Sequence, residues 1–129
     1  MVARRLALIL VLVWFGVGPA AAAGVASGRQ IVLHSDGRGA TPCVACHGAH
    51  GAGIADVAYP RLAGQQAAYL RKQLHDFRLG RGDSEVMHLF AKALSEAEIR
   101  AVAAYFASLD PAPAPGTTPE RARAAGGLR

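Results

Sequence analysis

Apolar residues in this chain recur mostly at three- and four-residue steps, and no segment alternates as a half-buried strand would. The clearest stretch is "LSEAEIRAVAAYFASL", where Ile99, Val102, Ala103 and Phe106 fall on one helical face. Ser95 followed three residues later by Glu98 is a capping box, and Pro111 closes the segment. A helix is therefore expected over 96–108. "QQAAYLRKQLHDFRLG" places Tyr69, Leu70, Leu74 and Phe77 on a second such face, and Gly80 and Gly82 end it. That predicts a helix over 65–79. A shorter one is expected over 26–34, with Ile31 and Leu33 available for burial before Gly37 and Gly39 break it. Between these elements, residues 37–64 carry six glycines and two prolines, the composition of loop. The fold class expected is all-α.

The two ends read differently. Arg4 and Arg5 precede Leu6 to Val17, an uncharged run of 12 residues. Gly18, Pro19 and a small-residue stretch follow. That order is an export signal, with cleavage expected after Ala23. A spanning helix needs about 20 apolar residues, so no stable membrane insertion is expected once the signal is removed. The Pro/Ala/Gly/Arg-rich stretch 111–129 lacks an apolar face and is expected to be disordered. The chain then divides into a signal over 1–23, one domain over 24–110 and a tail over 111–129. Net charge is +5, yet residues 24–110 hold nine Lys/Arg against eight Asp/Glu. Nucleic-acid binding is not expected from so even a balance.

Both cysteines fall within "TPCVACHGAHGAG". Cys43, Cys46 and the adjoining His47 admit three chemistries. A redox dithiol normally follows a strand, and no strand is expected before Cys43. A structural zinc site needs four ligands, and a second ligand pair is missing. C-x-x-C-H is the attachment pattern of c-type haem, two thioethers with the next imidazole on the iron, and it fits the exported setting best. The thiol-redox protein stays as the non-haem alternative. For a sixth iron ligand, Met87 is the only methionine left after signal removal, and it lies on an expected connection between two helices. Its neighbour His88 is the rival.

These pieces, in the order "SGRQIV", "CVACHGAHGAG", "YPRLAGQQAAYLRKQLHDFRLGRGD" and "VMHLFAKALSEAEIRAVAAYFASL", resemble class I cytochromes c. The likeness is to small bacterial domains such as cytochrome c4 halves and cytochrome c553, and it covers about residues 26–109. It implies helices wrapped around one covalent haem c. Cys43 and Cys46 would carry the thioethers, with His47 and Met87 as axial ligands. Pro60 would accept a hydrogen bond from His47 through its carbonyl, and Gly28 would let the first helix cross the last one closely against Tyr105. Val32 stands where many relatives have a larger aromatic residue. Arg61, Arg78 and Arg81 are candidates to pair with haem propionates. His34, His50 and His75 read as surface residues, and the Arg81–Asp83 tripeptide as a glycine turn. The implied function is a periplasmic electron carrier, not an enzyme, serving unidentified redox-partner proteins. The alternative is a haem subunit of a larger periplasmic oxidoreductase.

Overall fold

The computed structural model describes residues 19–54, 57 and 59–111. Most of the expected signal and all but the first residue of the expected tail lie outside the described residues. Within them the chain forms α1 (Pro19–His34), α2 (Val44–His47), a 3₁₀ turn (Ala49–Gly51), α3 (Ala67–Arg78), α4 (Glu85–Ala93) and α5 (Glu96–Ser108). Extended pairing among the described residues is limited to one isolated bridge, Ile54 with Tyr59. The all-α expectation holds.

Helix α1 starts seven residues before the expected Ala26. Alanine has the highest helix propensity, so Ala20–Ala23 extend the helix toward its N-terminus. The expected cleavage point falls inside this helix. Its core residue is Val32, fully buried, whereas Ile31 and Leu33 are only half-buried. The reason is the stripe set by Gly28, one turn earlier. A Cβ on Gly28 would lie 2.0 Å from the Ala101 carbonyl oxygen and 2.9 Å from Tyr105 Cβ. The two backbones meet there, and that contact aims Val32 at α5.

Helix α5 is buried along Ile99, Ala101, Val102, Ala103, Tyr105 and Phe106. This stripe is wide because α5 packs on α1 and on α3. Its start is the expected capping box: Ser95 Oγ accepts from the Glu98 N–H at 3.3 Å, and the Ser95 N–H donates to Glu98 Oε2 at 2.7 Å. The Ser95 N–H, and after it the Arg38 guanidinium, hold the Glu98 carboxyl below the ordinary 4.5. A depressed carboxyl contributes stability above 4.5 that is lost as pH falls through its lower folded value. Glu98→Gln should therefore lower the melting temperature at pH 7, and the gap to wild type should close below pH 4.5. Melting curves across that range check it.

Helix α3 begins at Ala67, two residues inside the expected start, because Gln66 is still extended (ψ 131°). Gly80, at φ 68°, ends it in a left-handed turn, with the Arg81 N–H donating to the Asp76 carbonyl at 2.8 Å. Leu70 is buried and Tyr69 half-exposed.

Helix α4 corrects the sequence reading, which treated the segment around Met87 as a connection. Ser84 is its N-cap, and Ser84 Oγ accepts from the Met87 N–H at 3.2 Å. Met87, Phe90, Ala91 and Leu94 follow the three- and four-residue spacing of an inward face. Nine residues make a marginal helix alone, so packing on α3 sustains it.

Candidate functional site

The cysteine segment folds into a single helical turn. The Cys43 carbonyl accepts from the His47 N–H at 2.9 Å and from the Cys46 N–H at 3.3 Å. Residues three and four apart on a helix share a face, so Cys43, Cys46 and His47 come together. All three line one cavity of about 540 Å³. Gly48 (φ 77°) stops the turn, and the chain doubles back, with the Gly51 carbonyl accepting from Leu62 and Ala63 at 2.9 and 3.1 Å. Gly53 sits at φ +81°, where a Cβ would lie 2.7 Å from the Arg61 nitrogen. Only glycine lets the two passes of the loop come this close.

That return delivers Pro60 to His47. His47 Nδ1 lies 2.9 Å from the Pro60 carbonyl oxygen, and the imidazole is buried. A carbonyl can only accept, so Nδ1 carries the proton and donates. In the neutral ring Nε2 is then the nitrogen with the free lone pair, as a metal ligand needs. Pro60 and His47 thus meet in the arrangement that the resemblance implied.

The rest of the cavity wall is mostly apolar, with Asp36, Arg61, Gln65 and Gln73 among its polar members. Leu70, Leu74 and Phe77 come from α3, Phe90 and Ala91 from α4, and Val102 and Phe106 from α5. Met87 lines the same space from the first turn of α4. His88 does not. Its Nδ1 lies 2.7 Å from the Phe77 carbonyl oxygen, turned into the α3–α4 packing. His34, His50 and His75 also stand away from the lining, and His75 Nε2 approaches Glu96 at 3.2 Å. Of the three propionate candidates Arg61 reaches the cavity, whereas Arg78 faces Glu96 at 3.9 Å and Arg81 lies off the lining. Sequence reasoning missed α4 as the carrier of Met87, although Ser84 and the apolar spacing after it were there to be read.

The donor set discriminates among the three chemistries. No group of three or more His, Cys, Asp or Glu able to hold a metal ion occurs among the described residues, so those residues give a structural zinc site no support. Burial, reinforced by the neighbouring Cys46, pushes the Cys43 thiol up to about 11. A reactive dithiol needs the opposite shift. Two thiols, a pre-oriented imidazole and a thioether around a large apolar space fit a haem c. No helix among the described residues is long and apolar enough to cross a membrane.

Comparison with known proteins agrees with this chemistry. The thiosulfate dehydrogenase electron acceptor of Thiomonas intermedia (strain K12) is 44% identical over 90 residues, which cover 70% of this chain and 42% of that protein. The chain thus spans less than half of that relative's length. Reduced recombinant cytochrome c4 from Pseudomonas stutzeri superposes with a TM-score of 0.65 at 34% identity, covering 69% of this chain and 50% of the other. The thiosulfate dehydrogenase structure from Marichromatium purpuratum gives 0.66 at 36% identity, over 80% of this chain and 22% of the other. A family model for cytochrome c matches residues 38–110, from the approach to Cys43 to the end of α5. The chain belongs to the cytochrome c family, and its cofactor is a covalently bound haem c.

Proposed function

We propose that this protein is a monohaem electron carrier in which Cys43 and Cys46 would form the thioethers and His47 and Met87 would supply the iron ligands. The observation that carries this reading is the single cavity lined by all four side chains, with His47 held in one tautomer by Pro60. When bound, haem supplies one-electron chemistry, its iron alternating between ferrous and ferric. The chain's residues do the rest. The Pro60 carbonyl orients His47 and makes it the more basic ligand. Leu70, Leu74, Phe90, Val102 and Phe106 exclude water, and with the thioether they favour the ferrous state. The carrier passes electrons between partner proteins and is not itself an enzyme. Residues 1–23 act as an export signal, which makes the protein periplasmic.

A second reading is the electron-accepting subunit of a larger oxidoreductase. It is favoured by the likeness to a thiosulfate dehydrogenase electron acceptor and to a thiosulfate dehydrogenase structure. Stable copurification with a dehydrogenase partner would select it, and a free monomer selects the soluble carrier.

The test of both is covalent attachment. Protein matured in a haem-loading host should keep peroxidase-active haem stain through a denaturing gel. Cys43→Ala with Cys46→Ala should lose it entirely. Wild type that releases its stain on denaturation would overturn the reading.

A further inference from the structure

One side chain joins the approach to Cys43 with the helix that bears Met87. Arg38 lies in the segment between α1 and the cysteine turn, and its neighbours Asp36, Ala40, Thr41 and Pro42 line the cavity. Its Nη2 donates to the Ala93 carbonyl at 3.1 Å and to the two Glu98 carboxylate oxygens at 3.0 and 3.1 Å. Its Nε donates to Asp36 Oδ2 at 3.0 Å, and its backbone N–H to Asp36 Oδ1 at 2.8 Å. Ala93 is the last residue of α4, and its carbonyl is one of those a helix end leaves without an internal partner. Glu98 belongs to the capping box of α5. A single guanidinium therefore ties the cysteine-side loop to the end of α4 and the start of α5.

The position of this tie matters because α4 is short. Ser84 caps its N-terminus, and packing on α3 holds one side. Its C-terminal end is held to the cysteine-side loop by Arg38.

We propose that Arg38 is a positioning residue for Met87: by pinning the Ala93 end of α4 to the cysteine-side loop, it keeps the thioether in the haem cavity against competing ligands. The inference rests on the haem-binding reading above and adds a residue that touches neither the cofactor nor its ligands. An external ligand can take the place of Met87 only when α4 swings away. Its apparent affinity then scales with the fraction of molecules in that opened state.

The experiment titrates ferric holoprotein with imidazole and follows the weak far-red sulfur-to-iron band. In Arg38→Gln, half-loss of the band is expected at an imidazole concentration at least about threefold lower than in wild type. Amides of 88–93 should exchange hydrogen faster. Ser95→Ala is the control for general weakening. It breaks the capping box but keeps the Arg38–Ala93 bond, and it should leave the titration near wild type. Arg38→Lys, which can reach only part of the acceptor set, should fall between. Equal titrations for wild type and Arg38→Gln, or equal shifts for Arg38→Gln and Ser95→Ala, would overturn the proposal and leave methionine ligation standing. A wild-type ferric spectrum without the band would overturn methionine ligation itself and the proposal with it.

Discussion

Met87→Ala should abolish the far-red band of the ferric protein and open the iron to water or added ligands. Met87 is the only methionine beyond residue 1, so no second methionine is at hand to take its place. The soft, neutral sulfur favours ferrous iron, and its loss should lower the reduction potential. Met87→His should keep six-coordination with a potential below wild type, because imidazole favours the ferric state more. His88→Ala should leave the band in place, since that ring is bound to the Phe77 carbonyl and stands off the cavity. A band lost in His88→Ala and kept in Met87→Ala would reverse the assignment. Ferric absorption spectra with potentiometric titration of the three variants decide it.

Gly28→Val should be the most damaging single change in the fold. Even a Cβ there would lie 2.0 Å from the Ala101 carbonyl oxygen and 2.5 Å from the Ala101 carbonyl carbon. These are backbone atoms, so no rotamer change can make room. The α1–α5 crossing must separate, and Val32 and Tyr105 are then exposed beside it. Overpacking a tight interior costs typically 1–3 kcal/mol, and the branched side chain against backbone belongs at about the top of that range. In a domain of this size about 3 kcal/mol lowers the melting temperature by roughly 12–24 °C. Gly24→Ala is the comparison, since nothing lies within 4 Å of a Cβ there. Its melting temperature should match or exceed wild type because alanine is the better helix former. Equal melting for Gly28→Val and wild type would show that the helices do not cross so closely.

The lower potential expected for Met87→Ala and the instability expected for Gly28→Val have separate origins. The first lies in the chemistry of one ligand, and the second in the contact between the first and last helices. Both helices contribute to the cavity wall. Ile31 of α1 and Val102 and Phe106 of α5 line it, and α1 packs on α5. A Gly28 variant should therefore also lose haem-pocket integrity at temperatures where Met87→Ala remains folded.

Sequence by itself determined whatever depends on neighbours along the chain. The helix over 96–108 was legible because a capping box and a 3.6-residue stripe are both local patterns, and the structure has it at Glu96–Ser108. Cys43, Cys46 and His47 were legible because one helical turn brings residues three and four apart onto one face. The close passage at Gly28 and the Pro60 carbonyl were legible only through the family resemblance, since no spacing rule links Pro60 to His47. The tertiary structure alone decided the rest. It made the segment around Met87 a helix, because nine residues gain their stability from packing on α3 and not from propensity. It chose Val32 over Ile31 and Leu33, because the core face of α1 is set by where Gly28 meets Ala101. It turned His88 away from the cavity and Met87 toward it, one residue apart, because a helix rotates successive side chains by about 100°. It also brought Arg38 to Ala93 and Glu98, partners more than fifty residues away, through a chain reversal that local pattern does not encode.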